Sequence, residues 1–98
     1  HSISLEEAAK LTKNYRESAG AGAFLGGYVS KSAVLEILNQ GSCLGLRIYN
    51  ATSDTGEPTF VLVGVNSDGD DLADGGLAEY VSQCPPYCPA LSELAGTG

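Results

Sequence analysis

Leu44-Gly45-Leu46-Arg47-Ile48-Tyr49, then Ser53-Asp54-Thr55-Gly56-Glu57-Pro58, then Thr59-Phe60-Val61-Leu62-Val63-Gly64-Val65 is the stretch that decides the fold. The first run alternates, which puts Leu44, Leu46 and Ile48 on one face of a strand and Arg47 with Tyr49 on the other. The middle run is turn chemistry, rich in Ser, Asp, Gly and Pro. The last run is a second strand, and the three together read as an antiparallel hairpin. Phe60 to Val65 is apolar at every position, so that strand should be covered on both faces and lie at the centre of its sheet. Two helices can cover one face; the other then falls to the C-terminal segment or to a partner subunit.

Working outward, the N-terminal side is helical. Ser4-Leu5-Glu6-Glu7 has the form of a capping box, and Leu5, Ala8, Leu11, Thr12 and Tyr15 form a narrow stripe at spacings of three and four. A helix is predicted from about Ser4 to Glu17, ended by Ser18-Ala19-Gly20-Ala21-Gly22. Phe24 to Val29 is read as a short strand weakened by Gly26-Gly27. A second helix, capped by Ser30 or Ser32, should run to about Gln40 with Val34, Leu35, Ile37 and Leu38 inward and Gly41 as a left-handed C-cap. Beyond the hairpin, Leu77-Ala78-Glu79-Tyr80-Val81 is read as a short third helix after Gly75-Gly76. Cys84-Pro85-Pro86-Tyr87-Cys88-Pro89 is excluded from helix and central strand by its prolines and should run as an extended surface tail. The expectation is one α+β domain spanning residues 1–98: two helices packed on a small sheet centred on an antiparallel hairpin, with the third helix and the Pro/Cys tail.

Charge narrows the partners. The formal net charge is −7, and residues 50–98 hold no cation, because Lys10, Lys13, Arg16, Lys31 and Arg47 all precede them. An acidic chain without a basic stripe repels phosphate, which argues against nucleic acid and anionic membrane. The longest apolar run, Phe60 to Val65, is strand-length and far below the roughly 20 residues of a membrane-spanning helix. A soluble protein is expected; the compartment is left open, with the cytoplasm slightly favoured.

Four groups of residues deserve weighing as sites. Cys84 and Cys88 have three residues between them, a spacing that suits free structural thiols, a small disulfide loop, or two thiolate ligands of a zinc ion. Cys43 adds only one further thiol, so a zinc site would be completed across a dimer; on its own Cys43 reads as a small apolar residue. Asn66, Asp68, Asp70 and Asp74 have calcium-loop spacing, but Asp71 stands where glycine is needed and Leu77 where a bidentate Glu is needed. An Asp-Gly turn is the better reading. Arg47 and Tyr49 share one face of a strand and are the candidate binding residues for a carboxylate or a partner chain; the plainer reading is an outward Arg paired with Glu57 across the hairpin. No catalytic residue is assigned. His1 is given no functional weight, so neither a Ser-His-Asp nor a Cys-His set is present, and the glycines lack phosphate-loop spacing.

The runs Ser4-Leu5-Glu6-Glu7-Ala8, Asn14-Tyr15-Arg16, Leu38-Asn39-Gln40-Gly41, Gly45-Leu46-Arg47-Ile48-Tyr49, Val61-Leu62-Val63-Gly64-Val65 and Cys84-Pro85-Pro86-Tyr87-Cys88 together resemble a group of short uncharacterised bacterial proteins. The resemblance covers nearly the whole chain, implies no activity and carries no functional residue across. The reading is therefore a non-enzymatic binding or assembly module, a homo-oligomer or a protein partner's ligand. Its rivals are a thiol- or zinc-dependent protein using Cys84 and Cys88, and a small-ligand binder using Arg47 and Tyr49.

Overall fold

The computed structural model describes residues 2–79 and 82–97. It has helices and antiparallel strands in the order α1 (Leu5–Ala19), β1 (Gly26–Tyr28), α2 (Lys31–Leu38), β2 (Gly45–Thr52), β3 (Pro58–Val65), β4 (Leu77–Glu79) and β5 (Ser82–Cys84). This is an α+β chain. β2, β3 and β4 form a three-stranded sheet with β3 in the middle, and β1 pairs with β5 in a separate two-stranded sheet. The chain divides into two compact units, one of residues 27–82 and one of residues 1–26 with 83–98.

In the unit of residues 27–82 the hairpin supplies the frame. β2 and β3 are antiparallel in a continuous register from Gly45 opposite Val65 to Thr52 opposite Pro58. The turn between them is closed by Ser53, whose N–H donates to the Glu57 carbonyl and whose Oγ accepts from the Glu57 N–H at 3.0 Å. β4 extends the sheet, with Leu62 opposite Ala78 and Val63 opposite Leu77. The alternation then assigns the faces. Leu46, Ile48, Leu62, Gly64 and Ala78 lie on one; Arg47, Tyr49, Val61, Val63 and Leu77 lie on the other.

α2 packs on the first of these faces and reaches all three strands. Its N-terminus is capped by Ser30, whose Oγ accepts from the Ala33 N–H at 3.2 Å. Gly64 makes the close approach possible. A Cβ there would stand 2.9 Å from Cys43 Sγ and 3.3 Å from Ile37 Cγ2, so any side chain would push the helix off the strand. Ile37 is 1% exposed and Val63 is 2% exposed, and they sit on opposite sides of the sheet. Leu62 and Thr59 are also buried, and the Thr59 hydroxyl donates to Glu79 Oε2 at 3.2 Å, which satisfies it. Burying a side chain the size of Ile37 stabilises the fold by about 1.5–3 kcal/mol.

Two expectations are corrected here. Residues 77–79 are a strand, not the start of a third helix, because pairing with β3 satisfies their backbone; residues 80 and 81 lie outside the described residues. Gly41 is not a left-handed C-cap. α2 ends at Asn39 in the right-handed α region, where the Asn39 N–H donates to the Leu35 carbonyl at 2.8 Å and Gln40 Nε2 donates to the Ile37 carbonyl at 3.1 Å. The last turn is closed by these bonds and needs no glycine.

The other unit is built differently. Ser4 caps α1: its Oγ accepts from the Glu7 N–H at 3.0 Å and donates to the Glu7 carboxylate at 3.2 Å. α1 has no buried residue. Its partner segment closes a loop in which the N–H groups of Ser92 and Thr97 each donate to the other's carbonyl at 3.0 Å. Arg16 Nη1 donates to the Leu94 carbonyl at 2.7 Å and ties that loop to the helix. Gly96, at φ +73°, passes directly over the guanidinium; a Cβ there would lie 2.6 Å from Arg16 Nε.

Candidate functional site

β2 is the strand on which the candidate residues meet, and its two faces differ. On one face Arg47 and Tyr49 converge on a single carboxylate. Arg47 Nη1 donates to Asp71 Oδ1 and the Tyr49 hydroxyl donates to Asp71 Oδ2, so both oxygens of Asp71 are used. Arg47 Nη1 also donates to the Gly69 carbonyl at 3.2 Å. The loop after β3 makes this reach possible. Asn66 Oδ1 accepts from the Asp68 and Asp70 N–H groups, each at 3.0 Å, which curls the loop tightly. Asp71 then bridges back to Val65, and the Leu72 N–H donates to the Gly64 carbonyl at 2.8 Å.

The electrostatics follow from that geometry. The hydrogen bond from Tyr49 is the largest effect on the Asp71 carboxyl and, with the bond and charge of Arg47, holds it below its ordinary range against the opposing effect of desolvation. The bond to Asp71 pushes the Tyr49 phenol up and, with the charge of Asp71, pushes the Arg47 guanidinium up. The cluster is an internal brace between β2 and the 66–71 loop. Sequence spacing brought Arg47 and Tyr49 together correctly, but Asp71 was missed as their partner. Glu57, the expected partner of Arg47, sits in the hairpin turn, and the residue opposite Arg47 is Val63.

On the opposite face, the aliphatic side chains that alternation set together are exposed. Leu44 is 75% exposed, Ile48 62% and Leu46 36%. The alternation was legible; the coverage was not, because α2 is only eight residues long and spans about 12 Å. β2 is also an edge strand, with β3 as its neighbour in the sheet. Among the described residues no strand pairs with its outer edge.

Cys84 and Cys88, in the unit of residues 1–26 and 83–98, are joined in a disulfide. In this oxidised form neither sulfur is a thiolate ligand. The Leu25 N–H donates to the Cys84 carbonyl at 2.7 Å and the Tyr87 N–H donates to the Gln83 carbonyl at 2.9 Å, so the small loop is held at its base. Cys43 is a free thiol whose Sγ donates to the Gly45 carbonyl at 3.2 Å. Among the described residues no three His, Cys, Asp or Glu side chains are grouped to hold a metal ion. None of the helices there is long and apolar enough to cross a membrane.

Comparison with known protein families, with curated proteins and with solved structures gives no match to this chain.

Proposed function

We propose that this chain is a non-enzymatic interaction module that binds another polypeptide through the open edge and exposed apolar face of β2. One observation carries the reading: Leu46 and Ile48 lie on one face of an eight-residue edge strand with Leu44 just ahead of it, and Leu44 and Ile48 are more than half exposed. An unpaired strand edge offers a ladder of backbone donors and acceptors, and a row of aliphatic side chains beside it adds burial. Natural edges are commonly guarded by Lys, Pro or an inward charge. β2 has no Lys or Pro, and its single charge, Arg47, is neutralised by Asp71 of its own chain.

In this reading Arg47 and Tyr49 hold the strand in shape and are not a ligand site. A small carboxylate would have to displace Asp71 from both donors. The Cys84–Cys88 disulfide is structural, and it favours an oxidising compartment over the cytoplasm. A zinc role would require that pair to be reduced.

The test is a photo-crosslinking residue placed at Ile48 and activated in cells of the natural host. A covalent adduct to a polypeptide is expected, and the same residue placed at Asp54 in the turn should give none. An Ile48 sample that stays uncrosslinked would overturn the reading.

A further inference from the structure

We infer that the polypeptide bound by β2 is a second copy of this chain, joined antiparallel edge to edge about a two-fold axis at Leu46. The inference rests on the reading of β2 as a contact surface and names its partner.

The row of exposed aliphatics is self-complementary. An antiparallel pair centred on Leu46 places Leu46 opposite its own copy and brings Ile48 beside Leu44 of the second chain, which lies just ahead of β2 with its N–H already donated to the Val65 carbonyl at 2.8 Å, so the match there is between side chains. The same register sets Arg47 opposite Gly45, which has no side chain to collide with it. Neighbouring registers are worse. A pair centred on Arg47 sets two guanidinium groups opposite one another, and like charges directly opposite are destabilising. A pair centred on Ile48 leaves Leu46 against Asn50 and Leu44 against Thr52.

Charge favours the same patch. Two chains of net charge −7 repel each other over most of their surfaces. Residues 37–53 contain no Asp or Glu, and their single cation is already paired with Asp71, so two copies meet here without opposing charges. A basic partner would be drawn to residues 54–98 instead, where eight carboxylates lie and no cation does. Scale sets the expected strength. The strand extends roughly 26 Å, and one strand with three aliphatic side chains buries less than the roughly 800 Å² per partner of a standard interface. The pair should therefore be reversible and dependent on concentration.

The experiment is sedimentation equilibrium of the full chain, with Cys84–Cys88 intact and Cys43→Ser in every sample. A monomer–dimer equilibrium is expected, and Leu46→Lys, which puts two ammonium groups at the axis, should weaken it at least tenfold. Because a Lys could disturb folding, a conservative variant carries the register test. Leu46→Cys should cross-link to itself on mild oxidation, whereas Leu44→Cys and Ile48→Cys should cross-link efficiently only when mixed. A chain that stays monomeric while the Ile48 photo-adduct contains a different protein overturns this inference and leaves the contact reading standing. A dimer in which Leu46→Cys fails to cross-link overturns it too, by moving the interface elsewhere. Monomer together with no photo-adduct overturns both.

Discussion

Residues 27–82 are held together by burial, whereas residues 1–26 with 83–98 are held by hydrogen bonds and a covalent link. In the first, Ile37, Leu62 and Val63 are buried around a three-stranded sheet. In the second, α1 has no buried residue, and its ties are a Ser4 cap, the bond from Arg16 to the Leu94 carbonyl, and the Cys84–Cys88 disulfide. The difference teaches how a chain of 98 residues spends its apolar side chains. A unit this small buries only part of its surface, so disulfides commonly replace a missing core. The sheet unit leaves an aliphatic row on β2 uncovered, and its buried residues lie on α2 and on both faces of β3.

The sharpest way to break that contrast is to open the core. Ile37→Ala should cost about 2–5 kcal/mol in urea denaturation, since it removes the central contact between α2 and Gly64. Leu11→Ala on α1, where the side chain is exposed, should stay within about 0.5 kcal/mol. Equal losses at the two sites would show that burial is not what separates the units. Next in size is the disulfide. Replacing Cys84 and Cys88 by Ser should cost about 2 kcal/mol for so short a loop. Amide exchange should place that loss in residues 5–19 and 83–97 and leave β2 and β3 protected. A smaller effect is expected from Ser4→Ala, about 1 kcal/mol through the lost cap on the Glu7 N–H. It should be visible as faster exchange in the first turn of α1.

The brace sharpens the comparison through pH. Asp71 is held below its ordinary value, so it contributes stability above the unfolded carboxylate range and loses it as pH falls through the lowered folded value. Tyr49 is raised, so its contribution is present below the ordinary phenol value and is lost as pH rises through the higher folded one. Urea midpoints followed across pH should therefore fall at both extremes. Asp71→Asn should flatten the change at both extremes, and the effect is small because the cluster is partly exposed. Unchanged limbs in that variant would mean that the brace does not couple to folding.

Much of the fold was readable because local chemistry and final contacts agreed. Ser4 and Glu7 marked the start of α1, Ser53 to Glu57 marked the turn, and the alternation of Leu46, Arg47, Ile48 and Tyr49 fixed which side chains share a face of β2. Three features were not local. The strand at Leu77–Glu79 exists through pairing with β3, and three residues carry no period of their own. Asp71 became the partner of Arg47 and Tyr49 because the 66–71 loop folds back, which spacing along the chain does not encode. The exposure of Leu44, Leu46 and Ile48 was not legible because alternation reports a shared face, not what lies over it. Around β2 the shared face of Arg47 and Tyr49 was legible, whereas their partner Asp71 and the exposure of the reverse side were not.

The most direct test of β2 as the surface on which two copies of this chain pair is amide hydrogen exchange of residues 44–50 in the intact chain, measured over a hundredfold range of protein concentration. Protection in that segment is expected to rise with concentration while exchange in α1 stays constant. Exchange in residues 44–50 that is the same at every concentration would contradict self-pairing through β2.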